Sequence, residues 1–476
     1  MNIGSLFTPE MIIALAAVFT GALFLFLLIN KDFTLGIYIW LLSILFFRFE
    51  GISLPGSILP DISMGRFLFV VLLGMFILEI AFGKHKVFRW TLIEFSMSLF
   101  LLLAVISMMS SGMIIKEGGR LKIGELLTGY IFPFFMFFIS QSVYDRPEKR
   151  EGLIKFLILT GIYLGITAML EHFNIDKLVF PRYIMDPGFG IHFGRARGPF
   201  CQAAVNGTVL GFGLCSSFYF LLAHKRKNIW IAFSFLLLAL LPLAIFFTYT
   251  RAVWLASALS FTLVLSFVFK EKRALFISIV VILCAAAVIA MPLILSGNTA
   301  ASAFDRMYDH SPVDDRLNLY TVYLNMFKEH PFFGVGFDRF SEVAHNYYGN
   351  VNSVVFRYEG LSPHDTFSNV LGEMGISGAL LILCVYLSIL FRSIKLYTFA
   401  CHHRNNSGLS IPPTGAPCFS PGGLHSNSPA ARNMVVVFWG CMIVYIVNSI
   451  FIEMRYFEFV NSLFFIFAGV ICRAGK

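Results

Sequence analysis

Long apolar runs recur along the whole chain, and polar stretches separate them. Most are long enough to cross about 30 Å of hydrocarbon as an α-helix, and only the second is short. A lipid-exposed segment must satisfy its backbone hydrogen bonds internally, which only a helix or a closed β-barrel can do. These runs are too long and too uniformly apolar to be barrel strands. We therefore predict an all-α, polytopic membrane protein with twelve to thirteen transmembrane helices. The candidate spans lie at residues 10–29, 34–47, 66–83, 91–110, 124–143, 152–171, 203–223, 229–247, 252–269, 274–295, 366–391, 433–452 and 456–472.

The composition agrees with this pattern. Hydrophobic residues make up 58% of the chain and charged residues only 13%, and the mean hydropathy of +0.78 excludes a soluble domain. We expect membrane lipids as the surroundings and no nucleic-acid partner. The first run is too long and too strongly apolar for a cleaved signal peptide, so we predict that residues 1–30 form an additional N-terminal transmembrane helix.

Basic residues predict the orientation of the spans, because short cytoplasmic loops of membrane proteins are enriched in lysine and arginine. Every second loop carries such a cluster, and the clusters lie at residues 84–89, 146–150, 225–227 and 270–273. This predicts an N-terminus outside and a C-terminus inside. One outer loop, with Lys116, Arg120 and Lys122, departs from the rule, but the alternation of the other loops supports the assignment.

Longer polar segments interrupt the membrane pattern at residues 171–202, 296–365 and 401–429. The first two fall on the predicted outer side. The third is rich in Gly, Pro, Ser and Asn and is typical of a disordered cytoplasmic linker; its Cys401-His402-His403 lacks a second ligand pair, so we predict no metal site. The predicted parts are thus the N-terminal helix, a helical core (31–295), a large outer loop (296–365) and C-terminal helices (366–476).

Three arginines lie at the outer ends of spans, where a charge beside hydrocarbon is costly. Arg251 stands in a very short connection between two spans, and Arg195 and Arg197 lie beside glycines just before another span. An arginine near a span end often only extends its side chain to the headgroups, and two arginines beside glycines can form an ordinary surface turn. Guanidinium groups on one face of the membrane can also bind a phosphate group, because guanidinium contacts phosphate oxygens in a planar fork that lysine cannot reproduce.

The large loop contains further candidates for chemistry. Arg316 opens a stretch with helical spacing, and His330-Pro331 ends it. His364 closes the loop at the membrane boundary; such a histidine is often interfacial, but it can also take a proton from a sugar hydroxyl near neutral pH. Asp365 can orient this histidine or cap the following helix. Glu373 lies about two turns into the span, which predicts burial and a pairing or hydrogen-bonding role.

These segments resemble motifs of the bacterial O-antigen ligase and polymerase family. His364-Asp365, nine residues, Gly375, two residues and Gly378 is similar to the family's signature of His, a polar residue, nine residues, Gly, two residues and a small residue. The polar residue is usually Asn in the family and is Asp365 here. Arg316 followed by the Gly334-Val335-Gly336 turn resembles the family's arginine and its Pro-x-x-Gly-Val-Gly turn.

Two upstream elements extend the resemblance. Thr250-Arg251-Ala252 with Trp254 is similar to the family's Ser-Arg-Gly-x-Trp, and residues 195–200 are similar to its Arg-x-x-Gly-x-Phe, although Gln202-Ala203-Ala204 replaces the Asn-Pro-Asn that often follows. The four elements stand in the family's order on the predicted outer side. Without the first helix, twelve spans remain and the large loop falls between the ninth and tenth, as is common in the family.

The resemblance implies an inverting, metal-independent glycosyltransferase of the GT-C-like membrane type, without a cofactor, whose site faces the periplasm from the bacterial inner membrane. The donor would be a glycan on undecaprenyl diphosphate. Its diphosphate would be bound by Arg195, Arg197, Arg251 and Arg316. Arg251 and Arg316 would also stabilise the charge that develops during transfer, and His364 would act as base or positioning group for the acceptor hydroxyl. The supporting positions would be Asp365, Glu373, Gly375 and Gly378.

The acceptor stays open at this point. Lipid A–core would make the protein an O-antigen ligase, which the histidine signature favours; the growing glycan would make it a polymerase, and a pilin serine or threonine a protein O-oligosaccharyltransferase. A flippase or transporter of lipid-linked glycans is an alternative of another class, but the repeat halves and broken midplane helices typical of transporters are not evident. The sequence does not define the oligomeric state.

Overall fold

A computed structural model of the chain describes residues 32–47, 51–52, 61–85, 90–112, 123–222, 229–268, 311–349, 364–406 and 429–474. The first and tenth predicted spans, at 10–29 and 274–295, lie outside the described residues. The same holds for most of the predicted linker, from 407 to 428, and for two of the four basic clusters, at 225–227 and 270–273. The account below concerns the described residues.

The described residues confirm the all-α prediction. Their helices are α1 (Phe33–Phe46), α2 (Met64–Ala81), α3 (Leu92–Ser110), α4 (Gly124–Val143), α5 (Pro147–His172), α6 (Ala203–Leu222), α7 (Ile229–Phe246), α8 (Arg251–Val268), α9 (Ser311–Glu329), α10 (Phe340–Val343), α11 (Thr366–Asn406), α12 (Pro429–Ser449) and α13 (Glu458–Ala474). Short 3-10 helices lie at Asp176–Leu178, Arg182–Met185, Gly198–Phe200, Ala344–Tyr347 and Met454–Tyr456. A short antiparallel pair of strands, Gly51–Ile52 with Ile62–Ser63, lies between α1 and α2.

Eight of the described helices are long and apolar enough to cross a membrane, and two further apolar helices are shorter. Most of their bounds follow the predicted spans closely; the span predicted at 203–223, for example, is α6 at Ala203–Leu222. The largest departure is in α11, which continues beyond the span predicted at 366–391 to Asn406, into the beginning of the predicted linker. The chain also breaks where the last two spans were separated, because α12 ends at Ser449 and α13 begins at Glu458. The chain is a multi-pass membrane protein.

Helix α6 is central in the bundle. In its most apolar window 89% of the residues are buried, whereas the corresponding share for α7 is 28%, so α7 presents most of its surface outward. Glycines allow close approach between α5 and α6: a Cβ atom added at Gly161 would lie 3.2 Å from the Cα of Gly213. Small residues at such crossings are typical of membrane helices, because lipid provides little hydrophobic drive for association and packing must supply it.

The longer polar connections meet at one end of the bundle, here called the loop end. It holds residues 172–202, the 247–251 turn, the described part of the large loop and the connection between α12 and α13. Hydrogen bonds join these parts to one another and to the helix ends: the Ala196 amide donates to the Phe247 carbonyl at 2.9 Å, and the Phe337 amide donates to the Ser107 hydroxyl of α3 at 2.9 Å. The loop end therefore forms one connected surface above the helices.

Candidate functional site

Arg251 is the first residue of α8, directly after the 247–250 turn. The turn is tight, since Tyr249 has a φ of 47°. Trp254 fixes it by donating from its indole nitrogen to the Ile245 carbonyl at 3.1 Å and by stacking on Phe246 at 5.3 Å. The tryptophan of the Arg251 motif therefore positions the turn that places Arg251 at the loop end.

The segment with Arg195 joins this turn. The Ala196 amide donates to the Phe247 carbonyl at 2.9 Å, which brings the residue next to Arg195 against the connection that leads into Arg251. The Arg195 side chain is partly exposed. Two of the predicted arginines thus belong to adjoining loops, although 56 positions separate them in the sequence.

Arg197 has a different place. Its side chain is 1% exposed, and its guanidinium donates to three backbone carbonyls, those of Ile184, Phe189 and Asp186, at 2.6 to 3.2 Å. The Glu171 carboxylate accepts from the Arg197 amide at 3.0 Å. Contrary to the expectation that it binds diphosphate, Arg197 uses its donors to hold the 184–198 loop together.

Arg316 lies near Arg251. It is half-buried near the beginning of α9, with its guanidinium carbon 5.1 Å from the ring of Phe451. Burial lowers the pKa of Arg316, and the positive charge of Arg251 lowers it further. The structure thus brings together two arginines from distant parts of the sequence, and an anion between them would relieve their repulsion.

His364 and Asp365 stand at the start of α11, on the same side. His364 is exposed, whereas Asp365 is 6% exposed and accepts from the Phe367 and Ser368 amides at 3.0 and 3.2 Å. Tyr320 of α9 lies near Asp365 and Arg316, and both charges act on its hydroxyl. Burial raises the pKa of Tyr320, the negative charge of Asp365 raises it further, and the positive charge of Arg316 lowers it. Sequence reasoning missed Tyr320, which lies one helical turn after Arg316.

The contacts of Asp365 predict the effect of replacing it. Asp365→Asn is expected to leave stability near the wild-type level, because asparagine caps helices about as well as aspartate, whereas Asp365→Ala is expected to lower the free energy of unfolding by about 1 kcal/mol. Chemical unfolding of the purified protein in detergent measures both. A free energy of unfolding for Asp365→Ala equal to that of the wild type would contradict the capping role.

The glycine of the histidine signature breaks α11. Gly375 has φ 65° and ψ −162°, and the turn that follows α9 inserts at the break. Backbone hydrogen bonds tie the two together: the Ile376 amide donates to the Pro331 carbonyl at 2.9 Å, and the Gly336 amide to the Glu373 carbonyl at 2.9 Å. A Cβ at Gly375 would lie 2.5 Å from the Phe332 carbonyl carbon. The two glycine-containing motifs are therefore two halves of one contact.

This geometry predicts a clear effect for Gly375→Ala. The backbone conformation is one that only glycine adopts readily, so the strain alone is expected to cost about 1–3 kcal/mol, with the overlap with Phe332 in addition. Gly74→Ala in α2 is the matched control, because nothing lies within 4 Å of a Cβ added there. Unfolding in detergent should show a large loss for Gly375→Ala and no loss for Gly74→Ala. Equal stability of the two variants would contradict the observed break.

The other supporting glycine, Gly378, lies in the turn of α11 after the break. A Cβ atom added there would lie 2.4 Å from the Cβ of Met374 if nothing moved. Met374 lies four residues before Gly378, a spacing that makes two residues neighbours in any α-helix. The change of direction at Gly375 brings Met374 still closer to Gly378. Gly378 thus belongs to the same local arrangement as the break.

Glu373 is 1% exposed, in agreement with the predicted burial, and it has an ionic partner. Arg455, in the connection between α12 and α13, donates from Nη1 and Nη2 to its two carboxylate oxygens at 2.6 and 3.2 Å. Sequence reasoning did not identify Arg455. The one signal was its position in the apolar C-terminal region, where a buried arginine requires a partner. Among the described residues, no group of three or more His, Cys, Asp or Glu is placed to hold a metal ion.

Comparison with known families adds an independent observation. A family model described as O-antigen ligase matches residues 235–383. This match supports an assignment of the chain to the O-antigen ligase/polymerase family. The match includes Arg251, Arg316 and His364, whereas Arg195 and Arg455 lie outside it. Comparison with curated proteins finds no match. The match supports an O-antigen ligase/polymerase-type function in general and suggests a glycosyltransferase-like enzyme.

Proposed function

We propose that this protein transfers a glycan from undecaprenyl diphosphate to an acceptor hydroxyl at the periplasmic face of the bacterial inner membrane. The observation that carries the proposal is the pair of contacts by which Phe451 and Ile452 connect the Arg316 guanidinium with the start of α11, where His364 stands, while the charge of Arg251 acts on Arg316. Arg251, Arg316 and His364 come from three separate segments, and all three lie in the region matched by the O-antigen ligase family model. The loop end is then the periplasmic face.

The arginines fit a diphosphate. Each guanidinium can bind two phosphate oxygens at once, and a half-buried position beside hydrocarbon strengthens that contact. Arg195, on the adjoining loop, would bind the same group from the other side. As the glycosidic bond breaks, negative charge grows on the leaving diphosphate, and fixed positive charges stabilise it in place of a metal ion.

His364 would serve as the base. The acceptor hydroxyl gives its proton to the imidazole as its oxygen forms a bond to the anomeric carbon, and the diphosphate leaves from the opposite side with the bonding electron pair. A single displacement of this kind inverts the anomeric configuration. Both Asp365 oxygens accept backbone amides, so we assign Asp365 to capping the helix that presents His364.

Among acceptors, we propose lipid A–core, since the matching family model is described as O-antigen ligase. The test is reconstitution of the purified protein in liposomes with a lipid-linked glycan and one of three acceptors: lipid A–core, a second lipid-linked glycan, or a pilin peptide. Glycosylated lipid A–core as the product supports a ligase. A lengthened lipid-linked glycan would indicate a polymerase instead of a ligase. A glycosylated peptide would indicate a protein glycosyltransferase.

The same liposomes test transport. A flippase would move the lipid-linked glycan between leaflets without forming a new glycosidic bond, which an added impermeant glycan-binding protein detects. The described arrangement favours transfer, because Arg251, Arg316 and His364 all lie at helix ends on one face. Leaflet exchange without any glycosylated product would overturn the proposal.

A further inference from the structure

A buried ion pair joins the elements that surround the candidate site. Arg455 binds both carboxylate oxygens of Glu373, and the two side chains are 2% and 1% exposed. Glu373 lies in α11, two residues before the break at Gly375, and Arg455 lies in the connection between α12 and α13. A two-point contact between a planar guanidinium and a carboxylate fixes both distance and orientation. The pair therefore ties this connection to the broken helix.

The same carboxylate holds the large loop. The Asp338 amide donates to Glu373 Oε2 at 3.0 Å, and the Phe340 amide to Oε1 at 3.1 Å. Glu373 thus accepts two hydrogen bonds from Arg455 and two from the loop segment that follows α9 and its turn. Because that turn is also inserted at the break in α11, the position of α9 depends on this carboxylate.

Arg455 is enclosed from the remaining side by α4. Its Nε lies 3.9 Å from Glu125 Oε2, and a Cβ at Gly129, in the π-helical part of α4, would lie 2.6 Å from the Arg455 Cβ. The rings of Phe337 and Tyr456 lie 5.4 and 5.3 Å from its guanidinium carbon. A group packed in this way does not reach a substrate in the described arrangement, so any effect on the reaction acts through its neighbours.

Two contacts lead from the pair to the site. Phe451, in the same connection as Arg455, lies against the guanidinium of Arg316 at 5.1 Å. The Ile452 carbonyl accepts from the hydroxyl of Thr366, two residues after His364, at 2.9 Å. The connection that Arg455 anchors therefore touches both α9 near Arg316 and the start of α11.

We infer that Arg455 is a positioning residue: through Glu373 it holds α9, the broken α11 and the α12–α13 connection in one geometry and so sets Arg316 relative to His364. The inference rests on the proposed function. It predicts that a change in the fork of Arg455 lowers the rate of transfer more than the affinity for the donor, because a shift of about 1 Å in a reacting group can cost on the order of 100-fold in rate.

Arg455→Lys tests this, since it keeps the charge and removes the fork. Arg150→Lys is the matched control: Arg150 is also buried and donates to the Tyr144 and Asp145 carbonyls at 2.9 and 2.8 Å, at the opposite end of the bundle. We expect both variants to melt at a lower temperature. Only Arg455→Lys should lower kcat, roughly 10- to 100-fold, with the donor KM changed by no more than about twofold.

A double variant separates positioning from stability. Arg455→Met with Glu373→Gln removes both charges of this pair together, which often restores stability when a buried ion pair is replaced as a whole. The recovery of the melting temperature should be partial, because the buried Asp338 carboxylate, 3.7 Å from Arg455 Nη2, loses Arg455 as a partner. The kcat of the double variant should stay low, because the two-point contact is still absent. A kcat equal to that of Arg150→Lys, in either Arg455 variant, would make the pair merely structural and overturn the inference.

A readout without substrate keeps the two proposals distinguishable. Hydrogen exchange of the Asp338 and Phe340 amides should be faster in Arg455→Lys than in wild type and unchanged in Arg150→Lys. Unchanged exchange in Arg455→Lys overturns the positioning inference. Absence of transfer by the wild-type protein with every acceptor would instead overturn the proposed function, and the exchange result would still report on the contact.

Discussion

His364→Ala is expected to lower glycan transfer by roughly 10²- to 10⁴-fold, the range that a positioned general base contributes. The side chain is exposed at the start of α11, on the same side as Arg316, and removing it should leave the helix in place because Asp365 provides the cap. Donor binding, measured with a labelled lipid-linked glycan, should persist. Transfer rates in proteoliposomes give the effect directly.

His345→Ala is the control for this variant. His345 is also exposed and lies in the described part of the large loop, in the 3-10 helix Ala344–Tyr347, but it is not part of the proposed site. Its replacement should leave transfer near the wild-type rate. A His364→Ala protein that also transfers at this rate would remove His364 from the mechanism and leave only an interfacial role.

Arg251→Lys is expected to lower transfer by roughly 10²- to 10³-fold, similar to the loss of one preorganised group that stabilises developing charge. Lysine keeps the positive charge but not the planar fork, and its shorter reach changes the distance to the diphosphate. The effect should appear mainly in kcat, since the charge on the diphosphate grows during the reaction. Steady-state kinetics with varied donor separates kcat from KM.

Arg182→Lys is the matched control, because Arg182 is an exposed arginine at the same end and its guanidinium donates to the Asp176 carbonyl at 2.7 Å. It should transfer at close to the wild-type rate. Full activity of Arg251→Lys would show that Arg251 only extends to the lipid headgroups, and the role of the diphosphate ligand would pass to Arg195 and Arg316.

Much of the membrane architecture was predictable from the sequence, because hydrocarbon imposes one length and one secondary structure on each span. The burial of Glu373 was predictable for the same reason. Its partner was not, since Arg455 lies 82 positions away and the pairing depends on how α11 breaks and how the α12–α13 connection folds. Local spacing carries no information on such a contact.

The arginines illustrate a second limit. Arg195 and Arg197 are two residues apart, and the sequence favoured the same role for both. The structure separates them, because Arg197 turns inward to three backbone carbonyls while Arg195 stays partly exposed. The direction of a side chain in an irregular loop depends on the path of residues 184–198. The glycine motifs were predictable as motifs, but their mutual contact at Gly375 appears only in three dimensions.

The most direct test of the central claim measures the two products of one transfer together. Purified protein in liposomes, with a lipid-linked glycan labelled in both its diphosphate and its sugar, is given lipid A–core. The account predicts equal amounts of free undecaprenyl diphosphate and glycosylated acceptor, in the presence of a metal chelator, and strong loss of both in Arg251→Lys and His364→Ala. Release of diphosphate that is equally fast without acceptor, or equally fast in both variants, would contradict it.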